Sequence, residues 1–230
     1  MTNNDLYNLL LHILRKESKG LAVSPDAFSD FLKVENLTLF NDYVRIFETT
    51  RIVSDALRPF KATSTRTLTA GNVSAPSDYA HMTAMHVGGT TTLIDELTDE
   101  EWVFRQDDEL TQPTTSYPIA RLDATYLYVL PATVTSITVY YLKNPTTPFF
   151  DYYIDANLAI QYLTVGQSYA LQASEVYRDG TTSGTKASIS VELEWDDTNK
   201  IKVLHRILTK LGVSMDEQLV AQYSTQKENS

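Results

Sequence analysis

Apolar residues recur at helical spacing near both ends of the chain and alternate with polar ones in between. Leu6, Leu9, Leu10, Ile13 and Leu14 form the stripe of a first helix, which Gly20 is placed to close as a left-handed residue beyond its C-terminus. Ser24-Pro25-Asp26 opens a second helix. The serine hydroxyl can cap it, proline suits the first helical position, and aspartate is favoured at the positive end of the helix dipole. Phe28, Phe31 and Leu32 supply its buried face. A third helical pattern runs from Leu39 through Tyr43, Ile46, Phe47 and Val53 to Leu57, and stops before Pro59.

From about Ser64 the period becomes two, the signature of strands. Thr65 to Thr69 leads into a Gly71-Asn72 turn; His81 to Val87 ends at Gly88-Gly89, and Thr90 to Ile94 would return as a hairpin. Thr98-Asp99-Glu100-Glu101 has the spacing of a capping box, so a short acidic helix near 98–106 carries Trp102 and Phe104. Strands follow at Ile119 to Leu122, Tyr126 to Leu130 and Ile137 to Leu142. Pro145-Thr146-Thr147-Pro148 is an extended connector, and Tyr169 to Tyr177 with Lys186 to Trp195 reads as one more hairpin. Ile201, Leu204, Ile207, Leu208 and Leu211 return to helical spacing, a shorter helix follows from Ser214, and Ser224 to Ser230 is a loose polar tail.

The fold class expected is α+β: a helical bundle from the N- and C-terminal helices with a central antiparallel β-rich lobe. The expected divisions are 1–62 for the N-terminal helices, 63–198 for the β-rich region, 199–223 for C-terminal helices packing on the first block, and 224–230 for the tail.

Composition narrows the chemistry. The 230 residues contain no cysteine, which removes disulfides, thiolate metal sites and a cysteine nucleophile, and is what a reducing compartment allows. A net charge of −10 argues against wrapping nucleic acid. The apolar stretch from Leu6 to Leu14 is too short for a membrane anchor, and its basic residues follow it, unlike a signal peptide. The four histidines, His12, His81, His86 and His205, have no metal-ligand spacing. Ser77, Asp78 and His81 are near in sequence, but no nucleophile elbow accompanies them, and no phosphate-binding loop or zinc-protease motif occurs. No catalytic residue, cofactor or metal ligand is expected, and the chain reads as a non-enzyme.

Charge is distributed unevenly. Asp95, Glu96, Asp99, Glu100, Glu101, Asp107, Asp108 and Glu109 fall within fifteen residues, offset only by Arg105. That stretch is a candidate electrostatic surface, meeting a basic partner or repelling a polyanion. Lys200, Lys202, Arg206 and Lys210 make the last helix basic, and Arg15, Lys16 and Lys19 add to the first block. Basic ends and an acidic middle suit head-to-tail association of copies. Phe149, Phe150, Tyr152 and Tyr153 would suit an extended arm laid on a neighbour, and join the four C-terminal cations as candidate subunit-interface residues. Tyr126, Tyr128, Tyr140 and Tyr141 leave open a carbohydrate-binding or adhesion module, and the carboxylates a metal-dependent hydrolase.

Several short motifs recur in a familiar order. They are Leu21-Ala22-Val23-Ser24-Pro25-Asp26-Ala27-Phe28, Asp55-Ala56-Leu57-Arg58-Pro59-Phe60, and Ala75-Pro76-Ser77-Asp78-Tyr79. Tyr140-Tyr141-Leu142-Lys143-Asn144-Pro145-Thr146-Thr147-Pro148 follows, and Glu192-Leu193-Glu194-Trp195 precedes the basic helix. In this order they resemble a family of virion structural proteins of tailed phages of Bacteroidetes, including the crAss-like group. A more distant likeness is to the adaptor, or gatekeeper, ring of short-tailed phages. The resemblance implies a non-enzymatic subunit of a cyclic homo-oligomeric ring in the head–tail connector or tail. It also implies portal or neighbouring neck and tail proteins as partners, genomic DNA that passes through without sequence-specific binding, and the acidic stretch from Asp95 to Glu109 as a lining of the lumen. The segment from about Asn157 to Thr185 fits the shared pattern least.

Overall fold

A computed structural model describes residues 1–16, 23–47, 51–108 and 110–212. The closing Gly20, Lys19, the start of the Leu21 motif, Glu109, the helix after Ser214 and the tail from Ser224 lie outside the described residues. The chain is α+β, and its contacts divide it into Met1–Ala56 with Pro145–Ser230, and Leu57–Asn144. The β-rich region expected over 63–198 is therefore split after Asn144. The physical reason lies in the extended segments beyond 145, where main-chain groups of Thr146, Phe150 and Val191 are bonded by side chains of the helices.

The first unit begins with α1 (Asn3–Lys16), whose Leu6, Leu9, Leu10, Ile13 and Leu14 are all buried. In α2 (Pro25–Arg45), Ser24 caps by accepting from the Ala27 N–H at 3.2 Å. This helix continues through Leu39 and Phe40, because nothing between Leu32 and Leu39 breaks it. The expected third helix is thus the end of α2 plus a short α3 (Arg51–Ala56). Short strands follow: β8 (Tyr152–Ile154), β9 (Ile160–Tyr162), β10 (Ser168–Ala170), β11 (Val176–Tyr177) and β12 (Thr185–Ala187). β8 pairs with both β9 and β11, and β10 pairs with β12, all antiparallel. The long hairpin expected over 169–195 is accordingly only the β10–β12 pair. The unit closes with α5 (Asp197–Lys210), capped by Asp196 and packed on α1 and α2 through Val203, Leu204, Ile207 and Leu208.

Helix side chains hold the extended segments in place. Asn3 donates to the Val191 carbonyl at 2.9 Å, and the Ser29 hydroxyl accepts from the Phe150 N–H at 3.1 Å. Asn36 donates to the Thr146 carbonyl and accepts from the Trp195 indole at 2.7 Å. Glu192 accepts from the Asn3 N–H, and Glu194 from the Thr146 N–H, while Leu193 and Trp195 between and beside them are buried. The Glu-Leu-Glu-Trp motif is therefore a stitch: its carboxylates bind main chain and its apolar residues enter the core.

The second unit has two sheets. β1 (Lys61–Thr67), β7 (Ser136–Lys143) and β3 (Tyr79–Val87) pair in the order β1-β7-β3, all antiparallel. β2 (Asn72–Ser74), β6 (Tyr126–Leu130), β5 (Ile119–Leu122) and β4 (Asp95–Glu96) form the other, with β4 parallel to β5. Alternate residues of both sheets, including Met82, Met85, Ala120, Leu127, Val129, Ile137, Val139 and Tyr141, enclose one apolar core. After Gly88-Gly89 the chain returns along β3 through bonds from Val87 N–H to Thr92 and Ile94 N–H to Met85, but only His86 and Leu93 form a bridge, so the expected strand is a single bridge. Pro59 sits within a 3-10 turn, Arg58–Phe60, that enters β1.

Candidate functional site

The acidic segment is built around α4 (Asp99–Asp107). Thr98 and Glu101 form the capping box: the Thr98 hydroxyl accepts from the Glu101 N–H, and the Glu101 carboxylate accepts from the Thr98 N–H at 3.0 Å. Trp102 turns inward, and the Arg121 guanidinium from β5 lies over it at 5.7 Å and over Tyr128 at 5.2 Å. Arg121 also pairs with Asp99 at 3.3 Å. A bond from the Leu97 N–H to the Ala120 carbonyl fixes the entry to the helix. The helix is thus anchored to β5 by one cation, one indole and one strand bridge.

Its opposite face is in solvent. Glu100 is exposed, with Val103 and Phe104 left 58% and 69% accessible. Beyond the helix the Asp108 carboxylate accepts from the Leu110 N–H and the Thr111 hydroxyl, which holds a turn with Leu110 95% exposed. The Leu110 N–H and then the Thr111 hydroxyl lower the Asp108 carboxyl below its usual range, and the Thr98 N–H and hydroxyl do the same for Glu101. Asp95 is exposed. Glu96 has considerable accessible area, yet nearby protein desolvates its carboxyl and raises it, with His81 opposing the shift. The side chain of Asp107 and all of Glu109 lie outside the described residues.

The candidate interface residues are engaged within their own unit. Lys200 donates to the Met1 carbonyl at 2.7 Å, Lys202 to the Tyr43 hydroxyl at 2.8 Å, and Arg206 pairs with Asp42 at 2.7 Å. Lys210 pairs with Glu35, a buried carboxylate of α2. Phe150 is fully buried, its ring 5.0 Å from Tyr7 and 5.8 Å from Phe28. Tyr152 is buried and donates to Asp26; its burial, and then the Asp26 charge, raise the phenol. Tyr153 stacks on Tyr169 at 4.3 Å, and Phe149 receives the Lys33 and Arg178 cations over its ring. The extended arm thus packs against its own unit, with Phe150 and Tyr152 buried and Phe149 and Tyr153 partly accessible. Aromatic density alone does not distinguish the two cases, because the same apolar area satisfies a core or an interface.

Asp151 is the residue whose role the sequence hid. Its fully buried carboxylate accepts from the Tyr152 and Ile189 N–H groups and from the Tyr177 hydroxyl at 2.5 Å, with Arg178 3.5 Å away. Its own N–H donates to Ser190, whose hydroxyl donates to the Leu163 carbonyl. Burial and then the bond to Asp151 raise the Tyr177 phenol. Lying between Phe150 and Tyr152, Asp151 carried the one available signal, a carboxylate inside an aromatic run.

Chemical catalysis finds no assembled constellation among the described residues. Asp78 accepts from the Tyr141 hydroxyl at 2.9 Å, a bond that anchors the turn before β3 to β7. The two ring nitrogens of His86 lie 3.1 Å from the Val87 carbonyl and the Tyr140 hydroxyl. No three His, Asp or Glu side chains converge to hold a metal ion among the described residues. A small cleft lined by Arg66, Val73, Pro76, Tyr79, Met82 and Leu127 contains no carboxylate or histidine to serve as acid or base. No helix among the described residues is long and apolar enough to cross a membrane. No protein-family model matches the sequence, and no curated protein matches it significantly.

Proposed function

We propose that the chain is a virion structural protein of a tailed phage, one subunit of an oligomeric ring in the head–tail connector or tail through which DNA passes. In this reading the bundle of terminal helices and the central β-rich lobe are the two parts of a non-enzymatic building block. It assembles in the host cytoplasm, and the portal or adjoining neck and tail proteins are its neighbours. The ordered motifs support it, since their residues serve the fold: Ser24 caps a helix, Asp78 anchors Tyr141, and Glu192 to Trp195 stitch strand to helix.

The observation that carries the reading is large apolar side chains left in solvent on both units. Leu110 and Phe104 project from one, and Leu158, 84% exposed at the turn between β8 and β9, from the other. Isolated exposed apolar residues are ordinary, but several on short projecting segments suit a subunit that buries them on assembly. Native mass and negative-stain images of the purified chain, alone and mixed with a portal ring, test the proposal. Closed rings of uniform size, or rings seated on the portal, are expected. A monomer that ignores portal and neck proteins would contradict it. A carbohydrate-binding role draws on Tyr117 and Tyr126, which are exposed, and predicts hits on a glycan array that the ring reading does not.

A further inference from the structure

The solvent face of α4 and the turn after it combine apolar side chains with carboxylates in fixed positions. Glu100, Val103 and Phe104 share the face, because residues three and four apart on a helix are neighbours. Leu110 follows within one turn, its N–H held by Asp108. The capping box and Arg121 set the helix, so these side chains are presented by an anchored element. A lining past which DNA moves gains from negative charge, but nothing from a phenyl and an isobutyl group standing in water.

We infer that this face docks a different protein, whose contact surface is apolar at its centre and basic at its rim. Charge complementarity sets the rim: among the described side chains Asp95, Glu96, Asp99, Glu100, Glu101 and Asp108 are exposed, against Arg105 and the Arg121 that pairs with Asp99. The exposed Val103, Phe104 and Leu110 set the centre, where desolvated anchors dominate binding energy. A second copy of the chain is the poorer occupant. Copies each carry −10, and the cations of α5, the densest basic run, are bonded to Met1, Tyr43, Asp42 and Glu35 of their own unit. The inference does not depend on the ring reading.

The test uses the full chain and a fluorescent amphipathic helix of Lys and Leu as probe. Two control peptides replace Lys by Glu, or Leu by Ser. The chain is compared with a Phe104→Ser/Leu110→Ser double variant and with Glu100→Lys. The Lys/Leu peptide should bind the parent chain, and both control peptides should bind at least about tenfold more weakly. The double variant should lose about tenfold in affinity at an unchanged melting temperature, and Glu100→Lys should lose less, more so at low salt. Absence of Lys/Leu binding, equal binding by the double variant, or equal binding of the Lys/Ser peptide would overturn the inference. So would a parent oligomer that the double variant dissolves, since the face would then join copies of the chain.

Discussion

The two units are specified by different interiors. Among the described residues, the buried polar side chains of the first unit are Asn3, Ser29, Glu35, Asn36, Asp151, Glu175, Ser190 and Asn199, against Thr138 in the second. The second unit is an apolar sandwich whose register follows from alternation, because a slip of one residue would turn every core side chain outward. In the first, the strands are only two or three residues long, and helix side chains hold the main chain of the extended segments that flank them, at Thr146, Phe150 and Val191. Apolar packing tolerates small changes of shape, whereas a buried polar network fails when one member is lost. The units should therefore respond differently to substitutions of equal size.

The sharpest contrast is Asp151→Asn against Ile137→Val. Asparagine keeps the shape but leaves Arg178 and the donors around it without the anion, at a cost of about 3 kcal/mol in denaturant unfolding. Ile137→Val removes one methyl group from the sandwich core and should cost about 1 kcal/mol. Equal costs would erase the distinction. Next, Lys210→Met should lose about 1–2 kcal/mol by stranding the buried Glu35 carboxylate. Adding Glu35→Gln should recover most of it, and a double variant no better than the single would place the cost elsewhere. Third, Arg121→Ala should cost about 1 kcal/mol and speed hydrogen exchange across 99–107, while exchange in α5 stays unchanged.

The smallest effects depend on pH and have opposite signs. The Glu101 carboxyl is lowered by its bonds to Thr98, so its contribution is present above the ordinary carboxylate range and fades as pH falls through the lowered value. Glu101→Gln should lower the melting temperature at neutral pH and change little in acid. Glu96 is raised by desolvation, so its contribution is present below the ordinary range and is lost as pH rises through the raised value. Glu96→Gln should raise the melting temperature slightly at neutral pH and not in acid. Shifts of the same sign for both variants would contradict these assignments.

Legibility in the sequence cuts across the two units and depends on how local each signal is. α1, α5 and α4 were readable because their apolar spacing, Asp196 aside, and the Thr98–Glu101 pair are local signals. β5, β6 and β7 were readable because each alternates against a single core. The unbroken α2 was missed because Lys33 to Thr38 carry half-polar character: Glu35 and Asn36 face inward through partners more than a hundred residues away. β10 to β12 were overextended because turn residues do not reveal which strand lies across them. The acidic stretch was visible as charge, yet its apolar face was not, since Trp102 and Phe104 differ in burial only through Arg121 and β5. The packing of the aromatic arm on its own unit is not legible, because the acceptor of the Tyr152 hydroxyl, Asp26, lies 126 residues away in sequence.

Electron microscopy of intact phage particles carrying this chain with a gold-binding label tests the structural assignment most directly. The account predicts label confined to a ring at the neck or along the tail, at a constant distance from the capsid vertex. Particles that assemble without label, or label scattered over the capsid, would contradict it.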